Sequence, residues 1–98
     1  MQNIKDSIKY SEKGILSKEL IKTDKNNTTL FCMAKGTQIS EHTSAKEGFI
    51  YVIEGDGIFN MEKEEIKMLP GAFIFMKKNT IHSLKAKRNT SFLLSLTN

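Results

Sequence analysis

Apolar and polar positions along this chain alternate in short runs, and turn-forming residues interrupt them at close intervals. That pattern predicts a succession of short strands and an all-β sandwich or barrel. The last run, 90–97, is the clearest, with Phe92, Leu94 and Leu96 on one face and Leu93 on the other. Strands are also predicted at 28–35, 49–54, 57–62, 66–69, 72–76 and 81–86. Residues 15–22 fit either a strand or a helical turn. Asp24 to Asn27 reads as a polar turn, and so does Lys63-Glu64-Glu65. Glu54-Gly55-Asp56-Gly57 suits a tight turn with positive φ. No long amphipathic helix, internal repeat or low-complexity linker is visible. The first dozen residues carry only Ile4, Ile8 and Tyr10 as apolar anchors.

Composition narrows the picture. Ninety-eight residues are enough for one domain with a modest core. No apolar run approaches the ~20 residues of a membrane span, so no membrane association is expected. The N-terminus has no apolar segment followed by a small-residue cleavage site, so the expected location is cytoplasmic. A single cysteine, Cys32, excludes an intramolecular disulfide framework, and its setting in Leu30-Phe31-Cys32-Met33-Ala34 reads as a small buried hydrophobe. The net charge of +4 raises the question of nucleic acid. The basic residues Lys77, Lys78, Lys85, Lys87 and Arg88, however, interleave with apolar ones as on an outer strand face. No nucleic-acid motif accompanies them, so no nucleic-acid partner is expected.

The candidate chemistry lies in the two histidines and the glycines around them. Five residues separate Gly36 from His42, fifteen separate Gly55 from Gly71, and ten separate Gly71 from His82. This frame resembles the two motifs of the small cupins, G-x5-H-x-H-x3-E-x6-G and G-x5-P-x-G-x2-H-x3-N. The likeness extends over Thr29-Leu30-Phe31, Tyr51-Val52-Ile53-Glu54-Gly55 and His82-Ser83-Leu84-Lys85-Ala86, nearly the whole stretch from Gly14 to Leu96. It implies a small double-stranded β-helix, the RmlC-like jelly-roll barrel of the cupin 2 type. The barrel would occupy residues 14–98, and residues 1–13 would form an N-terminal extension able to exchange or pair with a second subunit in a homodimer.

The resemblance also implies that His42 and His82 meet inside the barrel mouth. The family's usual metal site has three histidines and a glutamate; here its second histidine falls on Ser44 and its glutamate on Gly48. Lys77, Asn79 and Ala86 replace the Pro, Gly and Asn of the second motif. Two firm metal ligands are carried over, His42 and His82, with Ser44 a weak neutral donor. Glu47 stands next to the vacant glutamate position, but a one-residue shift turns a strand side chain to the opposite face, so it would need a bulge to serve as a ligand. Glu41, next to His42, fails the same test. Two functions follow. In the first, the protein binds a small molecule in the barrel mouth, with His42, Ser44 and His82 as polar anchors and a metal optional. In the second, it is a metal-dependent enzyme of dioxygenase, isomerase or lyase type acting on a small carbonyl, sugar-acid or phenolic substrate. Its one divalent ion (Zn, Fe, Mn or Ni) would be held by His42, His82 and Glu47.

Overall fold

Strands form wherever the sequence alternates, because only there can one face be buried while the other stays wet. The computed structural model describes residues 3–98, and residues 1 and 2 of the expected extension lie outside the described residues. A single 3-10 turn (Ile4–Ser7) precedes nine strands: β1 (Ile15–Lys22), β2 (Asn26–Met33), β3 (Gln38–His42), β4 (Glu47–Glu54), β5 (Gly57–Met61), β6 (Glu64–Met68), β7 (Phe73–Met76), β8 (His82–Ala86) and β9 (Thr90–Thr97).

The strands make two antiparallel sheets, ordered β1-β2-β9-β4-β7 and β3-β8-β5-β6. The jelly-roll barrel expected from the sequence is the fold observed. Its core lies between the sheets. Val52, Phe92, Ile50, Met33, Ile74 and Met76 come from the first, and Phe59, Leu84, Ala86 and Met68 from the second. Phe31 and Phe92 pair directly across β2 and β9 and stack with ring centroids 5.2 Å apart. Such a pair adds about 1 kcal/mol to the burial of the rings themselves.

Several boundaries differ from the sequence-based ones: β2 begins at Asn26, inside the expected 24–27 turn, and ends at Met33, and β4 begins two residues early at Glu47. Glu62, at φ 56, turns the chain with Lys63, so Glu64 and Glu65 belong to β6. β6 is an edge strand, and outward charges there discourage pairing with other chains, which is why the segment reads as a turn. Residues 15–22 resolve as strand β1 on the opposite edge of the larger sheet.

The segment before β1 packs on its own barrel. The Tyr10 hydroxyl donates to Glu54 at 2.9 Å, and the backbone N–H of Ala34 donates to the carbonyl of Gly14 at 3.1 Å. Burial, reinforced by Glu54, pushes the Tyr10 pKa up to about 12. Leu30 and Cys32 face away from the interior yet are 1% and 3% exposed, and the walls of the cleft over them include Asp6, Ser7 and Lys9. Cys32 is thus a buried hydrophobe, its thiol pKa raised by burial.

Candidate functional site

His42 ends β3 and His82 begins β8, and the two stand directly opposite each other in the antiparallel ladder. Directly opposed residues share a face, and here it is the one lining the barrel: His82 is 5% exposed, with Leu84 and Ala86 buried after it, while His42 at the rim is exposed. The ring centroids are 4.1 Å apart and the planes meet at 64°, edge to face. Phe59 stacks on the other side of His82 at 5.7 Å.

A bulge brings His42 into this position. Ile39 pairs with Leu84 and His42 with His82, so three steps along β3 match two along β8. Strict alternation from the inward Ile39 would place Glu41 opposite His82. The extra residue exchanges Glu41 for His42. The carbonyl of Ser40, inside the bulge, accepts the His42 Nδ1 proton at 2.8 Å. His82 is held in the same manner, with Nδ1 3.1 Å from the carbonyl of Thr80 two residues before it. In the neutral form of each ring these bonds place the proton on Nδ1 and the lone pair on Nε2. Neither Nε2 has a hydrogen-bond partner among the described residues.

Burial holds the pKa of His82 below its ordinary value of 6.5, and the facing His42 adds to that, against the opposing pull of the Thr80 carbonyl. His82 is therefore neutral at pH 7. The pair borders a cavity of about 60 Å³ whose other walls include Phe31, Ile39, Ile50, Met76 and Leu84. That is about the volume of two waters, far less than a pocket that encloses a whole drug-sized ligand.

Ser44 and Glu47 are not brought to the pair. The Ser44 hydroxyl donates to the carbonyl of Lys46 at 3.0 Å and accepts from its N–H at 3.1 Å, closing the turn between β3 and β4. Glu47 is exposed, pairs with Thr97, and lines a different cleft with Lys46 and Lys78. No bulge intervenes between Glu47 and Gly48, so strand parity keeps the carboxylate outside. The vacancy at Gly48 is also more than a missing side chain. A Cβ there would lie 2.0 Å from the Ser95 carbonyl oxygen, so the backbone has no room for one. From the sequence Met76 is one of several methionines and phenylalanines expected in the core or lining the barrel mouth, with no role of its own; it stands opposite Gly48 on β7 and lines the cavity with the histidines. Its signal was faint: an inward strand position facing the vacant glutamate site.

A family model described as "Cupin domain" matches residues 29–95, a span that includes both histidines. The chain belongs to the cupin family. No curated protein matches it. Among solved structures it is similar to a conserved protein of unknown function from Streptococcus pyogenes, at 20% identity and a TM-score of 0.91, covering 100% of this chain and 86% of that one. It is similar to a cupin superfamily protein from Desulfitobacterium hafniense at 21% identity, with a TM-score of 0.89 and coverage of 94% and 84%. It is similar also to DMSP lyase DddQ from Ruegeria pomeroyi, at 18% identity and a TM-score of 0.81, covering 87% of this chain and 47% of the lyase. At these identities the likeness is one of fold, which cupins of unknown function share with an enzyme. Cupins commonly hold a metal through histidines and a glutamate, and this donor set was tested against that role. Among the described residues no three or more His, Cys, Asp or Glu side chains converge. The donors present therefore do not fit the four-ligand set.

Proposed function

We propose that this cupin is a binding module that holds the end group of a small molecule between His42 and His82. One observation carries the reading: both rings commit Nδ1 to a backbone carbonyl and leave Nε2 free beside a shared apolar cavity. Two neutral imidazole nitrogens are hydrogen-bond acceptors, so the ligand end that suits them is a donor, a hydroxyl or an amine on an apolar body. The small cavity admits the end of such a molecule and leaves the rest in the mouth. Beyond the two imidazoles themselves, neither Ser44 nor Glu47 adds a third ligand or a further base near the pair, which favours binding over catalysis.

The test is a thermal-shift screen of phenols, diols and amines near pH 7.5, repeated with a His42→Ala, His82→Ala double variant. Compounds that stabilise the native protein and not the variant support the reading. Stabilisation that persists in the variant, or none from any class, refutes it.

The approach of the rings favours a second reading, a metal-dependent enzyme with one divalent ion. Nitrogens about 2.1 Å from a common ion must lie side by side, as rings 4.1 Å apart permit. Elemental analysis of protein purified without added metal, compared with the double variant, decides it. Stoichiometric metal that vanishes in the variant supports this reading, and none even after reconstitution removes it.

A homodimer belongs to the same proposal, here through the β7 edge rather than through residues 1–13 as expected from the sequence. Phe73 and Phe75 on edge strand β7 are 64% and 49% exposed and adjoin Tyr51 and Phe49 on β4. An aromatic face along an open edge is self-complementary about a two-fold axis, which supports pairing of two copies there.

A further inference from the structure

We propose that His42, His82 and Met76 form a binding site selective for monovalent copper over divalent ions. This goes beyond ligand binding by the imidazole pair and rests on the same free Nε2 atoms. Three observations carry it.

The first is the donor set. Apart from the two imidazoles, the thioether of Met76 is the only side-chain heteroatom in the cavity wall; the remaining lining side chains are hydrocarbon. Thioether sulfur is a soft ligand that favours Cu(I), whereas hard divalent ions favour oxygen donors that this wall lacks.

Charge is the second. No carboxylate reaches the pair: Glu47 lies outside, and position 48 cannot carry a side chain. A divalent ion between neutral ligands would keep its full charge against an apolar wall, open to water on the side of the exposed His42. The cost of burying charge grows with its square, so a +2 ion costs roughly four times what a +1 ion costs.

Placement is the third. Met76 is 2% exposed and stands across the ladder from Gly48. It therefore projects into the interior where the family's glutamate would reach, with a neutral soft donor in place of a hard anionic one. Two imidazoles and a thioether supply three neutral donors, a number that satisfies Cu(I), whereas a divalent first-row ion on three protein ligands still needs water or an anion to complete its shell.

The experiment is an anaerobic titration of the full chain with Cu(I), in competition with a chromophoric Cu(I) chelator, and in parallel with Zn(II). It is run on the native protein, on Met76→Leu, and on Cys32→Ser, which removes the only thiol. Leu is close to Met in volume, so Met76→Leu should fold, and circular dichroism checks that it does. The expected result is one Cu(I) per chain with Zn(II) bound at least about tenfold more weakly. Met76→Leu should lose at least about tenfold in Cu(I) affinity, together with the sulfur scatterer in the copper X-ray absorption spectrum, while Cys32→Ser changes neither. Zn(II) binding as tight as Cu(I), a folded Met76→Leu variant with unchanged Cu(I) affinity, or loss of binding in Cys32→Ser would each overturn the proposal. If phenols or amines bind through the histidines but Cu(I) does not, the copper site fails and the ligand-binding reading stands. If neither binds, both fail.

Discussion

Restoring the family's glutamate by Gly48→Glu should damage the barrel without improving a metal site, and Gly48→Ala isolates the cause. The added Cβ would lie 2.0 Å from the Ser95 carbonyl oxygen, 2.9 Å from its carbon and 3.0 Å from the Leu96 Cα. All three are backbone atoms, so no rotamer change relieves the contact. Ordinary contact begins at 3.4 Å, and β4 would have to move roughly 1.4 Å away from β9. Displacement on that scale breaks about two ladder hydrogen bonds at about 1 kcal/mol each, and the disturbed packing adds about 1 kcal/mol more. A loss of about 3 kcal/mol lowers the Tm of a domain this size by at least about 10 °C. Thermal unfolding of Gly48→Ala, followed by circular dichroism, measures it. A Tm within a few degrees of native, or tighter divalent-ion binding by Gly48→Glu, would refute the reasoning.

Other consequences follow from the same structure. Because the folded pKa of His82 is depressed, the unfolded chain binds the proton more readily. Stability is therefore complete above the ordinary 6.5 and falls as pH drops from there through the lowered folded value. Urea midpoints at about pH 7.5 and pH 5 should show this fall, and His82→Leu should reduce it. Phe59, 0% exposed and stacked on His82, should cost about 3–5 kcal/mol on truncation to Ala, read by urea unfolding. The Phe73→Lys, Phe75→Lys double variant should elute as an 11.1 kDa monomer where the native protein elutes as a dimer. A native monomer would argue against the β7 face as an interface.

Much of this was legible in the sequence because alternation reports which face a residue occupies. Ile50 and Val52 on β4, and Leu84 and Ala86 on β8, are buried as their parity requires, and Tyr51 points outward. β3 was not delimited, because Gln38-Ile39-Ser40-Glu41-His42 carries one apolar residue and is interrupted by the bulge that turns His42 inward. Alternation counted forward from Ile39 would have carried Glu41 to the site, whereas alternation counted back from Val52 and Ile50 carries His42. Met76 and the blocked space at Gly48 depend on contacts between strands distant in sequence, which local patterning does not encode. The opposition of the two histidines was legible only through the motif frame, since thirty-nine residues separate them.

The central claim is that His42 and His82 present two unprotonated Nε2 atoms to one shared pocket. Long-range ¹H–¹⁵N correlation spectra of the imidazole rings at neutral pH report the tautomer of each histidine directly. Both rings are predicted to carry the proton on Nδ1, with Nε2 resonances that shift together when a ligand or ion binds. A proton on Nε2 of either ring, or a response confined to one histidine, would contradict the account.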